Sequence, residues 1–424
     1  MSAKLVRHAE KAVTVALRDT RVVLVNGARQ AGKSTLVKKV LKTHAGARWR
    51  TLDDGVTLAA ARADPTRFVQ HDDLLAIDEI QRAPELMLAI KAAVDRDERP
   101  GRFLVTGSAR VLGLKALPDS LVGRMETVEL WPFSQGELEA RVDRFIDAVF
   151  DDAPRFPDGT VPRDELVERL TRGGFPEATR RDDSRRAKFF EAYARDLVDR
   201  DVSQLSDVPR REVLHHLLRA TAALPAQLLK VERLASDSGV PARSVERYLS
   251  LFEELFLIKR LPAWSNRSTP RAVRMRKLLF VDTGLCAHLQ RRGLKRLLRD
   301  DSLVGPLLEN FVLSELARQL GWSTTAASLS HYRTRDGVEV DGVLESSDGR
   351  LVGVEVKASS TVRTEDFAGL RHLATQTGER FHHGVVFYTG PDAMPFGDRL
   401  TAVPIEALWR ARQGTERPSG CWPR

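Results

Sequence analysis

The 424-residue sequence predicts an α/β chain of more than one domain, and three observations carry that prediction. A β-branched run enters a glycine-bracketed loop that opens into a helical stretch, strand-like and helical segments then alternate, and the last third returns to short strands around a helix. A prior of one domain per roughly 100 to 200 residues gives two to four. Composition shifts place modules at 1–150, 151–300 and 301–424. Hydrophobic content of 42% is ordinary for a globular chain, and no apolar run of the roughly 18 residues needed to span a bilayer is present. The opening "MSAKLVRHAEKAV" lacks an apolar signal core, so no membrane partner and a cytoplasmic location are expected.

In the first module "RVVLVN" is a strand that runs into Gly27, Ala28, Arg29, Gln30, Ala31, Gly32, Lys33, Ser34 and Thr35, followed by the helical "LVKKVLKTH". This is the order of a P-loop, and ATP is the expected ligand of its nine residues. Gly27 and Gly32 permit the backbone angles that turn successive N–H groups toward phosphate oxygens, and the helix N-terminus adds partial positive charge. Lys33 is placed to reach the β- and γ-phosphates, and the Ser34 hydroxyl to ligate Mg2+.

The apolar strand in "LLAIDEIQRAP" delivers Asp78 at its carboxyl end, where a carboxylate holds the magnesium shell. Glu79 beside it is a candidate general base for an attacking water, its structural alternative being a helix cap. With "RWRTLDD", "RFLVTGSAR" and "METVELWPF", five strands alternate with helices, which predicts a parallel sheet covered by helices on both faces. Thr106 and Ser108 end the fourth strand and are expected to sense the γ-phosphate or the water. Arg124 is a candidate charge-stabilising arginine, acting in cis or across a contact in a homo-oligomer, or else a salt-bridged surface residue.

The middle opens on the turn-rich "DDAPRFPDGTVPRDE" and continues with helical periodicity in "RREVLHHLLRATAAL", "KVERLASDSG" and "PARSVERYLSLFEELFLI". Gly239 and Pro241 make a sharp turn between the last two, and "IKRLPAW" with "RKLLFVD" reads as a two-stranded wing whose tip is the basic "SNRSTPRAVRM". A winged-helix middle follows. Arg243, Ser244 and Arg247 would then face a DNA groove, or the same unit is a lid or a protein contact. The formal charge of +9 favours a polyanionic partner such as DNA, although an arginine-rich composition arises in GC-rich genomes as well. Two cysteines, Cys286 and Cys421, with no CxxC pair, and ten histidines without HExxH spacing exclude a disulfide framework and the common zinc patterns.

In the third module an amphipathic helix, "GPLLENFVLSELARQL", precedes strands in "SHYRTRDGVEVDGVLES", "GRLVGVEVKASS" and "HHGVVFYTG". Period-two alternation puts Glu355 and Lys357 on one strand face, Asp341 ends an apolar strand, and Glu309 on the helix completes the set. Neighbouring carboxylates repel, which favours a divalent cation, Mg2+ or Mn2+, on Asp341 and Glu355. Such a metal would lower the pKa of a bound water, with Lys357 orienting that nucleophile.

The series "LVNGARQAGKSTL", "LDD", "LLAIDEIQ", "FLVTGSA", "SLVGR", "WPFSQGE", "GGFPEA" and "YARDLVDRDV" resembles prokaryotic AAA-type P-loop ATPases of the archaeal-ATPase-like group. Their C-terminal domain of unknown function resembles PD-(D/E)XK nucleases. The resemblance implies an ATPase core and a restriction-nuclease-like α/β end, although the proline that names the nuclease motif is absent before Asp341. Two functions are expected from the three modules together. One is ATP hydrolysis coupled to nucleic-acid binding or cleavage; the other is an ATP-driven switch that binds a protein partner or operator DNA without cutting.

Overall fold

Strands bounded by short apolar runs dominate both ends of the chain in the computed structural model, which describes residues 5–108, 121, 123–201, 211–265 and 275–412. In the first module β1 (Val22–Asn26), β2 (Arg48–Thr51), β3 (Leu75–Asp78), β4 (Phe103–Gly107) and β5 (Met125–Glu129) form one sheet in the order β2-β3-β4-β1-β5. All four pairings are parallel, as the alternation of strands and helices requires. Side chains alternate between two cores. Val22, Leu24, Leu75, Ile77, Phe103 and Val105 pack with Met87 and Ile90 of the helix Leu86–Arg96. Val23, Val25, Ala76 and Leu104 pack with Val13 of the helix Ala9–Asp19 and with Leu36 and Val37 of the helix Lys33–Leu41. Each such Val, Leu, Ile, Met or Phe contributes roughly 1.5–3 kcal/mol of burial, enough together to hold the strand ends, and the functional groups on them, in fixed relation.

In the middle, coil gives way to the helices Arg163–Arg172 and Asp183–Asp196. The helices Arg211–Ala222, Val231–Ser238 and Ala242–Glu254 follow, then an antiparallel hairpin of β6 (Ile258–Leu261) and β7 (Lys277–Phe280). Gly239, in the left-handed region at φ 71°, ends one helix, and Pro241 caps the next. The basic hairpin tip, 266–274, lies outside the described residues.

The last module is a six-stranded sheet in the order β12-β13-β11-β10-β9-β8. Its strands are β8 (Ala327–Arg333), β9 (Glu339–Ser346), β10 (Leu351–Val356), β11 (Phe381–Tyr388), β12 (Met394–Pro395) and β13 (Leu400–Pro404). β8, β9 and β10 run antiparallel, whereas β10, β11 and β13 are parallel. The helix Ala368–Thr377 supplies the crossover that a parallel β10–β11 pair demands. The helix Val304–Gln319 packs against the sheet, and one apolar core runs from Ala28 and Trp131 through the middle helices to Trp409. The short helix Phe145–Val149, which the sequence places at the close of the first module, packs in that core beside Phe387. Among the described residues no helix is long and apolar enough to cross a membrane.

Candidate functional site

The expected phosphate loop sits at the carboxyl end of β1. Gly27 has φ 155°, and a Cβ on it would meet the Leu130 carbonyl oxygen at 2.1 Å, so only glycine lets the loop pass beneath β5. Gly32, at φ 100°, starts the helix Lys33–Leu41, whose first turn carries Ser34 and the exposed Thr35. Ala28 and Ala31 are buried and pin the back of the loop, while Arg29 and Gln30 form its outer curve. Lys33 is buried, and its Nζ donates to the carbonyls of Gly27 (2.9 Å) and Ala28 (3.0 Å), which holds the ammonium inside the loop.

Neighbouring strand ends complete the centre. The Ser34 hydroxyl lies 3.1 Å from both oxygens of Asp78 at the end of β3. Cis oxygen ligands of Mg2+, each at 2.0–2.1 Å, are about 3 Å apart, so this pair fits one magnesium shell. Because β4 lies between β3 and β1, Thr106 reaches Asp78 Oδ1 at 2.5 Å, and Thr51 of β2 reaches Oδ2 at 3.4 Å. Burial is the largest influence on Asp78 and raises its pKa; the Thr106 hydroxyl opposes this and Glu79 adds to it.

Glu79 takes a left-handed backbone (φ 61°, ψ 47°), a conformation that costs a non-glycine residue roughly 1–3 kcal/mol and clusters at functional sites. Its N–H donates to Thr106 Oγ1 (3.1 Å), and its Oε2 accepts from Ser108 Oγ (3.0 Å) and from Gln81 Nε2. Gln81 also donates to Ser108 at 2.8 Å. The carboxylate is thus aimed by two polar neighbours and does not cap the following turn, for which no side-chain cap bond exists. Thr51 and Gln81 were not singled out by the sequence: Thr51 is one polar residue at a strand end that the strand order brings to Asp78, and Gln81 sits in the turn Ile80–Arg82 that folds it back onto Glu79 and Ser108.

Arg124 departs from one expectation. It pairs with Asp95 (Nε–Oδ1 2.6 Å), and its carbonyl accepts from the N–H of Val22 at the amino end of β1. Five strand residues, roughly 16 Å at 3.3 Å each, separate it from the phosphate loop. An arginine at the amino end of the strands cannot reach a triphosphate held at their carboxyl end on its own chain, so the cis role is corrected.

The middle module touches the loop directly. The Tyr193 hydroxyl, on the helix Asp183–Asp196, donates to the Arg29 carbonyl at 3.3 Å, and the Pro176 ring lies 3.9 Å from where a Cβ on Gly32 would stand. Phe189, Ala192, Asp196 and Leu197 line a cavity of about 100 Å³ with Arg29 and Gln30. On the helix Ala242–Glu254, Arg243 and Arg247 are exposed, whereas Ser244 is half-buried.

In the C-terminal module the structure brings Glu309, Asp341, Glu355 and Lys357 together. Asp341 Oδ2 accepts from the Val356 N–H at 3.0 Å, and Lys357 Nζ stands 3.6 Å from Glu355 Oε2 and 3.9 Å from Asp366 Oδ1. Burial raises the pKa of both Glu309 and Glu355, and the Asp341 carboxylate raises each further. Asp341 and Glu355, expected to hold Mg2+ or Mn2+, belong to a cluster that already contains a cation missed by the sequence. Lys277 Nζ, its side chain 1% exposed, lies 2.6 Å from Glu309 Oε1, 3.3 Å from Asp341 Oδ1 and 3.2 Å from Glu339 Oε1. Among the described residues no three His, Cys, Asp or Glu side chains are arranged to hold a metal ion. As they stand, the carboxylates of Glu309, Asp341 and Glu339 hold the Lys277 ammonium.

Comparison with known proteins agrees with the first of these centres. Residues 19–139 match the family model described as AAA domain, whereas 163–296 and 304–408 match two domains of unknown function, DUF8612 and DUF4143. The matched AAA segment contains the loop, Asp78 and Glu79, so the first module is an AAA-type P-loop domain, of the class that binds and hydrolyses ATP. Uncharacterized proteins of Mycobacterium tuberculosis (Rv2008c) and Mycobacterium bovis (Mb2031c) are each 29% identical over 407 residues, 95% of this chain and 84% of theirs. Among solved structures, the Thermotoga maritima RuvB Holliday junction branch migration motor is similar over 61% of this chain and 90% of its own, at 19% identity and a TM-score of 0.29. A Pif1 helicase from Candida albicans is similar over 40% of this chain and 48% of its own, at 17% identity and a TM-score of 0.22. Overlaps this weak carry nothing over about substrate or assembly.

Proposed function

We propose that this chain is a Mg2+-dependent ATPase whose nucleotide cycle drives its middle and C-terminal modules on nucleic acid. The observation that carries the reading is the joining of Ser34, Thr106 and Asp78, with Glu79 aimed beside them by Ser108 and Gln81. Ser34 and Asp78 would hold Mg2+, which when bound offsets charge on the β- and γ-phosphates. Lys33 and the loop N–H groups orient the triphosphate, and Glu79 takes the proton of the attacking water. Replacing Glu79 by Gln keeps the hydrogen bonds and removes the base, so ATP turnover should fall about 10²–10⁴-fold while ATP affinity is retained. Turnover equal to wild type refutes Glu79 as the base.

The helix–turn–helix and hairpin of the middle module support a winged-helix reading, in which the exposed Arg243 and Arg247 and the neighbouring Ser244 meet DNA. Fluorescence anisotropy with duplex DNA at several salt concentrations tests this. Arg243→Ala with Arg247→Ala should weaken binding and lower the salt slope, and an unchanged slope removes the DNA assignment. A homo-oligomer would give Arg124 a trans role that its position denies it in cis. A second reading, an ATP-driven switch that binds a protein partner or operator DNA without cleavage, is favoured by the presence of Lys277 among the carboxylates on which cleavage would depend.

A further inference from the structure

We propose that Lys277 is the resident cation of the C-terminal carboxylate cluster: it fastens the β6–β7 hairpin to the C-terminal sheet and keeps that cluster from taking up a divalent metal. The ammonium contacts three carboxylates at once, Glu309, Asp341 and Glu339, and accepts no competition from solvent because its side chain is 1% exposed. Its third N–H direction meets the Asp341 carbonyl oxygen at 3.4 Å. A divalent ion binds carboxylate oxygens at about 2.0–2.6 Å. Bridging Glu309 and Asp341 at that distance, it would stand against the ammonium, so the two cations exclude each other.

Lys277 is not free to swing away. Its backbone pairs with Leu261 of β6 on one edge, while Leu278 on the other edge bonds to Gln227 (2.9 Å) and Ala226 (2.8 Å). Asn310, one residue beyond Glu309, accepts from the Phe280 N–H at 2.7 Å and donates to the Phe280 carbonyl at 2.9 Å. The far end of the hairpin joins the C-terminal sheet as well: Trp264 N–H donates to the His331 carbonyl (2.6 Å), and His331 N–H to the Pro262 carbonyl (3.0 Å). On the Glu355 side the approach is closed by backbone, since a Cβ on Gly369 would meet the Glu339 carbonyl at 2.1 Å and Glu355 Oε1 at 3.0 Å. Around the ammonium stand Glu309, Asp341 and Glu339, with Arg333 bonded to Glu339 (2.6 Å) and Lys357 beside Glu355.

The inference is independent of ATP turnover and is tested by Mn2+ titration, following free Mn2+ by electron paramagnetic resonance, with and without a non-hydrolysable ATP analogue. Wild type and Asp341→Asn should bind equal amounts of Mn2+. Lys277→Met, which keeps the apolar stem, should gain one further Mn2+ per chain, and Lys277→Met with Asp341→Asn should lose it again. If Asp341→Asn binds less Mn2+ than wild type in either nucleotide state, or if folded Lys277→Met gains none, the proposal is overturned. Wild-type crystals soaked in Mn2+ need no variant: an anomalous peak between Asp341 and Glu309 overturns it, and a peak confined to the phosphate-loop site supports it.

Discussion

The strength of the Lys277 contact can be measured apart from any metal. Replacing Lys277 by Met removes one positive charge from a buried set in which Glu309 and Asp341 face it at 2.6 and 3.3 Å. Breaking a buried ion pair by deleting one partner costs about 3–5 kcal/mol, because the remaining charges stay desolvated and repel. The middle and C-terminal modules share one core, and for a cooperative unit of that size about 2–4 °C of melting temperature corresponds to 1 kcal/mol, so a fall of about 6–20 °C is expected at pH 7.5. Acidification should shrink the loss. With the ammonium gone, the folded state holds protons on Glu309 and Glu355, already raised by burial and by the Asp341 charge, more tightly than the unfolded chain, so the variant gains stability relative to wild type as pH falls toward the ordinary carboxylate range. Adding Glu309→Gln to the variant removes one of the repelling charges and should restore about 1–2 kcal/mol. Guanidinium titrations at pH 7.5 and pH 5, followed by far-ultraviolet circular dichroism, give these numbers directly. A loss below about 1 kcal/mol at pH 7.5, or one that grows on acidification, refutes the reasoning.

Other expectations follow from single contacts. Gly27→Ala places a Cβ 2.1 Å from the Leu130 carbonyl and should reduce ATP affinity about tenfold or more, measured by calorimetry, with unchanged affinity telling against the loop geometry. Tyr193→Phe deletes the bond to the Arg29 carbonyl, worth about 0.5–1.5 kcal/mol, and should change the ATP dissociation constant or turnover about two- to tenfold; identical kinetics would show that this helix does not read the loop. Burial pushes the His383 imidazole down to about 4. The unfolded chain therefore takes up a proton near pH 6.5 that the folded chain refuses, and stability is lost as pH falls from 6.5 toward 4, by about 1 kcal/mol at pH 5.5. His383→Gln should lose correspondingly less between pH 7.5 and 5.5 in the same denaturant titrations, and a loss equal to wild type contradicts the assignment.

What could be read in the amino-acid order was whatever a contiguous segment decides. The run from Gly27 to Thr35, and Asp78 with Glu79 at one strand end, name their chemistry because the groups that act together lie within a few residues. The parallel sheet was equally legible, since apolar runs alternating with helical periodicity admit few other arrangements. Glu309, Asp341, Glu355 and Lys357 also met as period-two alternation and element order implied. Strand order was not legible, and strand order brings Thr51, Thr106 and Ser108 around Asp78 and Glu79, while parallel strand direction leaves Arg124 at the amino end of β5, opposite the phosphate loop. Lys277 is the sharpest case. It lies 32 residues before Glu309 and 64 before Asp341, and in sequence it is one lysine entering an apolar strand. Covalent spacing over such lengths leaves the relative position of two side chains undetermined. Burial of the shared core, acting on both modules at once, decides that this ammonium and those carboxylates occupy the same few ångströms.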